Sequence, residues 1–135
     1  MKYIKYTIFL FIFAVVFACA DTQAYQQWYS YAAIEIPAFT LSWESPNKEK
    51  YIAGNQLMYE TGATEQGTGV SQPIAAAVHR NTAPVTTKEK WVSLIKGKNV
   101  TLSDSSLTGS YHLLIKVDKW VILPTYFSGT WVVEQ

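Results

Sequence analysis

Cysteine is almost absent: the 135 residues contain one, Cys19, inside an N-terminal apolar segment. A body without disulfides must be held by its core, and a domain of about 115 residues can close one. Charge of one sign is lacking too, with 11 basic residues against ten acidic. The lysines are scattered, so no basic field is available for nucleic acid or anionic lipid. Histidine is scarce. His79 and His112 lie far apart in sequence, with no His-x-x-x-His and no His-plus-Cys spacing, so neither carries a zinc signature. No Gly-x-Ser-x-Gly elbow occurs. The glycine-bearing stretch Thr61 to Gly69 is not followed by Gly-Lys-Ser/Thr, which excludes a phosphate cradle. Glu35, Glu44, Glu60 and Glu65 supply carboxylates, but nothing pairs two of them across a sugar. A non-enzymatic protein is the expectation, with no catalytic residue, metal ligand or cofactor assigned.

Long apolar runs are missing except at the start. Lys2 and Lys5 flank the uncharged run Tyr6 to Ala18, which closes as Ala18-Cys19-Ala20 before Asp21. A membrane-spanning helix needs about 20 apolar residues, and this run is shorter. It has the n-region, h-region and Ala-x-Ala ending of a secretory signal. Residues 1–20 are therefore expected to be a helical signal peptide and residues 21–135 a single domain, with cleavage after Ala18, Ala20 or Ala24. Without Lys2 and Lys5 the 11 basic residues become nine, against the same ten acidic. The alternative concerns Cys19: Val16-Phe17-Ala18-Cys19 resembles a bacterial lipobox, although Phe17 stands where a small residue is usual. On that reading Cys19 is lipidated and anchors the protein to a membrane. Asn99-Val100-Thr101 is an N-glycosylation triplet of consequence only in a eukaryotic host.

What remains alternates with a period of two. Phe39, Leu41 and Trp43 face one way, with Thr40, Ser42 and Glu44 opposite, which predicts a half-buried strand ending at Ser45-Pro46-Asn47-Lys48. Strands are also predicted over Gln56–Glu60, Ile74–Arg80, Trp91–Lys96 and Val100–Leu102. Tyr111, Leu113, Ile115 and Val117 give the cleanest alternation, and Asp118-Lys119 is read as a tight turn into Trp120–Leu123. Tyr126–Val133 closes the chain, with Gly129 as a bulge or close-packing point. Thr61 to Gly69 reads as a loop, and Glu35, between Ile34 and Ile36, as exposed. The sum is an all-β fold: a small antiparallel β-sandwich of about seven or eight strands, with a small β-barrel as the alternative.

Five tryptophans and a dense aromatic opening, Tyr25-Gln26-Gln27-Trp28-Tyr29-Ser30-Tyr31, are the candidates for recognition. Trp43 and Trp91 lie in apolar registers and read as core. Tyr25, Trp28, Tyr29 and Tyr31 remain as a candidate binding platform, because aromatic faces bury area at low entropy cost. The competing reading packs them inward as the first strand.

The closing run Tyr126-Phe127-Ser128-Gly129-Thr130-Trp131-Val132-Val133-Glu134, with the signal-like start and Thr108-Gly109-Ser110-Tyr111-His112-Leu113, resembles the C-terminal end of small exported Gram-positive all-β proteins of unknown function. The resemblance implies secretion and a β fold, and no catalytic residue. A more distant similarity is to secreted β-sandwich bacteriocins that act on the cell envelope. The expectation is thus a secreted, extracellular bacterial protein that binds a partner or envelope polymer, with a bacteriocin- or toxin-like protein as the alternative. Nucleic acid is not an expected partner, and membrane contact is expected only through the signal peptide or a lipid anchor.

Overall fold

The computed structural model describes residues 27–82, 88–103 and 107–133. The leader, Cys19, the three cleavage positions and Tyr25 lie outside them. Nine strands form: β1 (Trp28–Ile36), β2 (Trp43–Glu44), β3 (Lys48–Lys50), β4 (Gln56–Glu65), β5 (Ile74–Arg80), β6 (Val92–Ser93), β7 (Asn99–Ser103), β8 (Gly109–Val117) and β9 (Thr125–Val132). There is no helix among the described residues. All pairings are antiparallel and fall into two sheets, β1-β9-β4-β7 and β2-β8-β5-β6, with β3 also on β8.

One core lies between the sheets, which makes the architecture sandwich-like. Met58, Phe127 and Trp131 enter it from the first sheet; Ile74, Leu113, Ile115 and Val117 enter it from the second. The alternation read over Tyr111–Val117 is the inner face of β8, buried along its length. Trp131 is fully buried, and its indole N–H donates to Gln56 Oε1 at 3.2 Å. Lys50 is buried as well, its Nζ donating to the Leu107 carbonyl at 3.2 Å.

β9 runs straight through the first sheet, and both of its neighbours are bulged against it. Thr125, Phe127, Gly129, Trp131 and Val133 all fall on the buried side. In β1 the register shifts between Tyr31 and Ile34, and in β4 between Glu60 and Gly62. An extra residue in a strand reverses which face its later side chains occupy. Tyr29 and Tyr31 therefore share the core side with Ile34 and Ile36, and Met58 shares it with Ala63. Ala33 takes φ 48° at the bulge, and its N–H donates to Ser128 Oγ at 2.9 Å.

Both shifts begin opposite Gly129, which pairs with Tyr31 on one side and Glu60 on the other. A Cβ there would sit 2.5 Å from the Tyr59 carbonyl oxygen and 2.8 Å from Phe127 Cζ. Gly129 is thus a close-packing point, and the bulges belong to its partners.

Several expectations are corrected. Asp118-Lys119 makes no hairpin: residues 118–124 form a loop that crosses from β8 to β9 in the other sheet. The strand expected over Phe39–Glu44 shrinks to Trp43–Glu44, because the chain crosses between sheets there too and Phe39 and Thr40 take φ 62° and 63°. Trp91–Lys96 shrinks likewise to Val92–Ser93. Conversely, Thr61–Glu65 is strand, since β9 offers pairing as far as Thr125, and Lys48 enters β3 instead of ending a turn.

Gly129→Ala should be strongly destabilising, by about 3 kcal/mol, because a backbone carbonyl cannot rotate away as a side chain can. Urea denaturation of the two proteins checks this; an unchanged midpoint would refute the close-packing assignment.

Candidate functional site

The aromatic opening does not assemble into one exposed face. Tyr29 turns inward against Trp131, ring centres 5.9 Å apart, and its hydroxyl donates to Gln27 Oε1 at 2.8 Å. Lys48 Nζ lies 4.5 Å from the centre of the Tyr29 ring. Tyr31 packs edge-on against Trp43 at 5.2 Å, and burial raises the pKa of its hydroxyl while Ser45 opposes the rise. Trp28 points the other way and is 65 % exposed. The period of two, which brought these residues forward as a group, is also what divides them.

A different apolar surface stands at one end of the molecule, where two crossing loops meet. Phe39 N–H donates to the Val121 carbonyl at 2.8 Å, and the Phe39 and Trp120 rings lie 5.7 Å apart. Trp120 is 68 % exposed, Ile122 64 % and Leu41 59 %, with Phe39 beside them. Loops at a sandwich end carry recognition in many folds of this architecture, because the sheets hold them rigidly. Backbone strain is concentrated here. Two consecutive non-glycine residues, one of them β-branched, occupy the left-handed region, at a cost of about 1–3 kcal/mol each. The sequence concealed this end because Phe39-Thr40-Leu41 and Trp120-Val121-Ile122 alternate or run like strands. The one available hint was Pro124, which argues against a strand continuing past Leu123.

The second concentration of functional groups lies on the outer face of β5 and β8. His79 and His112 stand directly opposite each other in register, ring centres 5.1 Å apart. His112 Nδ1 meets Asn81 Oδ1 at 2.7 Å, and Asn81 Nδ2 donates to Ser110 Oγ at 2.9 Å. His79 Nδ1 faces Glu89 Oε1 at 3.8 Å. Burial, and secondarily the His79 ring, lower the pKa of His112, with Glu44 and Glu89 opposing. Sequence spacing could not reveal the pair, since only the strand register joins the two rings.

Among the described residues no three metal-ligating side chains are gathered. A cleft of about 370 Å³ opens between β5, β6 and β7, lined by Val78, Lys90, Val92, Thr101, Leu102 and Ser103. Its hydroxyls, Thr101 and Ser103, share the lining with Lys90 and with no histidine or carboxylate. Comparison with protein families, curated proteins and solved structures yields no match.

Two predictions follow from the geometry. Thr40→Gly should raise stability by about 1 kcal/mol by relieving the left-handed strain; a lower urea midpoint would count against that loop conformation. For His112, the unfolded chain takes up its proton near pH 6.5 and the folded chain only at lower pH. In that window unfolding binds protons, so stability rises with pH; it is complete above about pH 6.5 and is lost as pH falls through the window. Between about pH 7.5 and pH 5.5 the wild type should therefore lose more stability than His112→Gln, and a parallel decline in both would remove the effect.

Proposed function

We propose that the chain is an exported, non-enzymatic β-sandwich module that associates with the cell envelope, and that its contact is the loop end carrying Phe39, Leu41, Trp120 and Ile122. Export rests on the leader-like residues 1–20. The observation that carries the contact is the joined Phe39–Trp120 tip, whose aromatic and branched aliphatic side chains are more than half exposed. Such residues suit the boundary between lipid head groups and acyl chains, where aromatic rings concentrate. A glycan site would instead surround its stacking rings with hydrogen-bonding side chains. This reading adds a membrane contact to those expected from the leader or a lipid anchor on Cys19.

A second reading shares the same tip. A bacteriocin- or toxin-like protein would use it to disturb the bilayer instead of merely resting on it. Release of a trapped dye from vesicles separates the two.

Cosedimentation with phosphatidylcholine vesicles is the direct test. Binding is expected with the wild-type tip, and Trp120→Ser should weaken it about tenfold, the equivalent of roughly 1.4 kcal/mol of lost apolar burial. Absence of sedimentation with vesicles, or binding to cell-wall polysaccharide alone, would overturn the membrane assignment.

A further inference from the structure

We infer that His79 and His112 form a two-imidazole binding site for a divalent transition-metal ion, on the outer face of the sheet and independent of the apolar tip. The separation of the rings is the first ground. An imidazole nitrogen bonds Zn²⁺ at about 2.0–2.1 Å, so two rings sharing one tetrahedral ion place their centres about 5.2 Å apart. The rings already stand 5.1 Å apart, tilted by 45°. Direct cross-strand pairing holds the two Cα atoms opposite each other, so side-chain rotation is what remains to bring both rings onto one ion.

The second ground is which nitrogens are left over. Asn81 Nδ2 donates to Ser110 Oγ, which turns Oδ1 toward His112. An amide oxygen only accepts, so the proton of neutral His112 resides on Nδ1 and the lone pair on Nε2. Ligating histidines characteristically give their other N–H to a carboxylate or carbonyl, which holds the ring and raises its basicity. His112 has that outer partner in Asn81, and its Nε2 is kept for an ion. At His79 the Glu89 oxygen lies on the Nδ1 side at 3.8 Å, a charge contact and not a hydrogen bond, which likewise leaves Nε2 for an ion. Asn81 is on this account a positioning residue.

The third ground is charge. Glu89 lies beside His79, and both Glu89 and Glu44 act on His112 electrostatically. Two carboxylates beside the two rings favour a dication over an anion. The protein supplies two ligands, with water completing the shell. Among first-row ions Cu²⁺ should bind more tightly than Zn²⁺.

The test is titration of the untagged chain with Zn²⁺ and with Cu²⁺ by calorimetry near neutral pH, with Cys19→Ser as a control for thiol binding. One ion per chain is expected, with affinity in the micromolar range or tighter, unchanged by Cys19→Ser. His79→Ala and His112→Ala should each weaken it tenfold or more, and Asn81→Ala by about tenfold. Binding should strengthen with rising pH, because metal and proton compete for the rings. If His112→Ala fails to fold, His79→Ala together with metal-induced shifts of both ring signals in the wild-type NMR spectrum serves the same end. Absence of saturable binding, or adventitious binding untouched by either histidine substitution, would overturn the site.

Discussion

A backbone contact at Gly129 sets the geometry of the first sheet. Extended strands pack side chains against side chains, but at this point the inner face of β9 presents only Cα, and the Tyr59 carbonyl and the Phe127 ring close over it. The straight strand then fixes where its neighbours must yield. β1 and β4 each slip register immediately beyond their pairing with Gly129, on opposite sides of the same strand. Ser128 contributes its hydroxyl to the displaced N–H of Ala33. Trp131 completes the arrangement from the same strand, exchanging a buried hydrogen bond with Gln56 of β4. The short run Ser128-Gly129-Thr130-Trp131 thus acts through the space it leaves as much as through the space it fills.

The bulges keep the apolar inventory on the core side, and the crossings deal with the rest. With sequence neighbours β1 and β2, β4 and β5, and β8 and β9 lying in different sheets, the chain passes three times over the same end of the molecule. Residues 37–42 and 118–124 make two of those passes and meet through Phe39 and Val121. Apolar residues that would lie in a core, had these segments been strands, are instead held in the open. The strain at Phe39 and Thr40 is the local cost of holding them there.

The all-β class and the inner face of β8 were legible because Tyr111, Leu113, Ile115 and Val117 obey a single local rule over the whole strand. Ile74–Arg80 was legible as a strand because Pro73 and Asn81 leave too little room for a helix. The loop end was not: whether Trp120-Val121-Ile122-Leu123 turns back as a hairpin or crosses to the other sheet depends on where β9 pairs, and that is a long-range property. The same limit applied to the aromatic opening, where Tyr29 and Tyr31 were correctly foreseen as one face only under the reading that packs them inward. It applied most fully to His79 and His112. Each is unremarkable in its own run, and the pair exists only through the β5–β8 register. Bulges that reverse a strand's facing, as at Thr61 and Ala32–Ala33, are likewise invisible to a strict two-residue period.

The irregularity in β1 also bears on solubility. Among the described residues β1 is the outermost strand on its side of the first sheet, nine residues long, and its outer edge faces away from β9. A flat, uninterrupted border of that length would offer a ready template on which another copy could grow by backbone pairing. The left-handed kink at Ala33 breaks the border midway, so no incoming strand can match more than a few consecutive donors and acceptors. A feature that arises from fitting one side of the strand to Gly129 thereby guards the opposite side against fibrillar self-association.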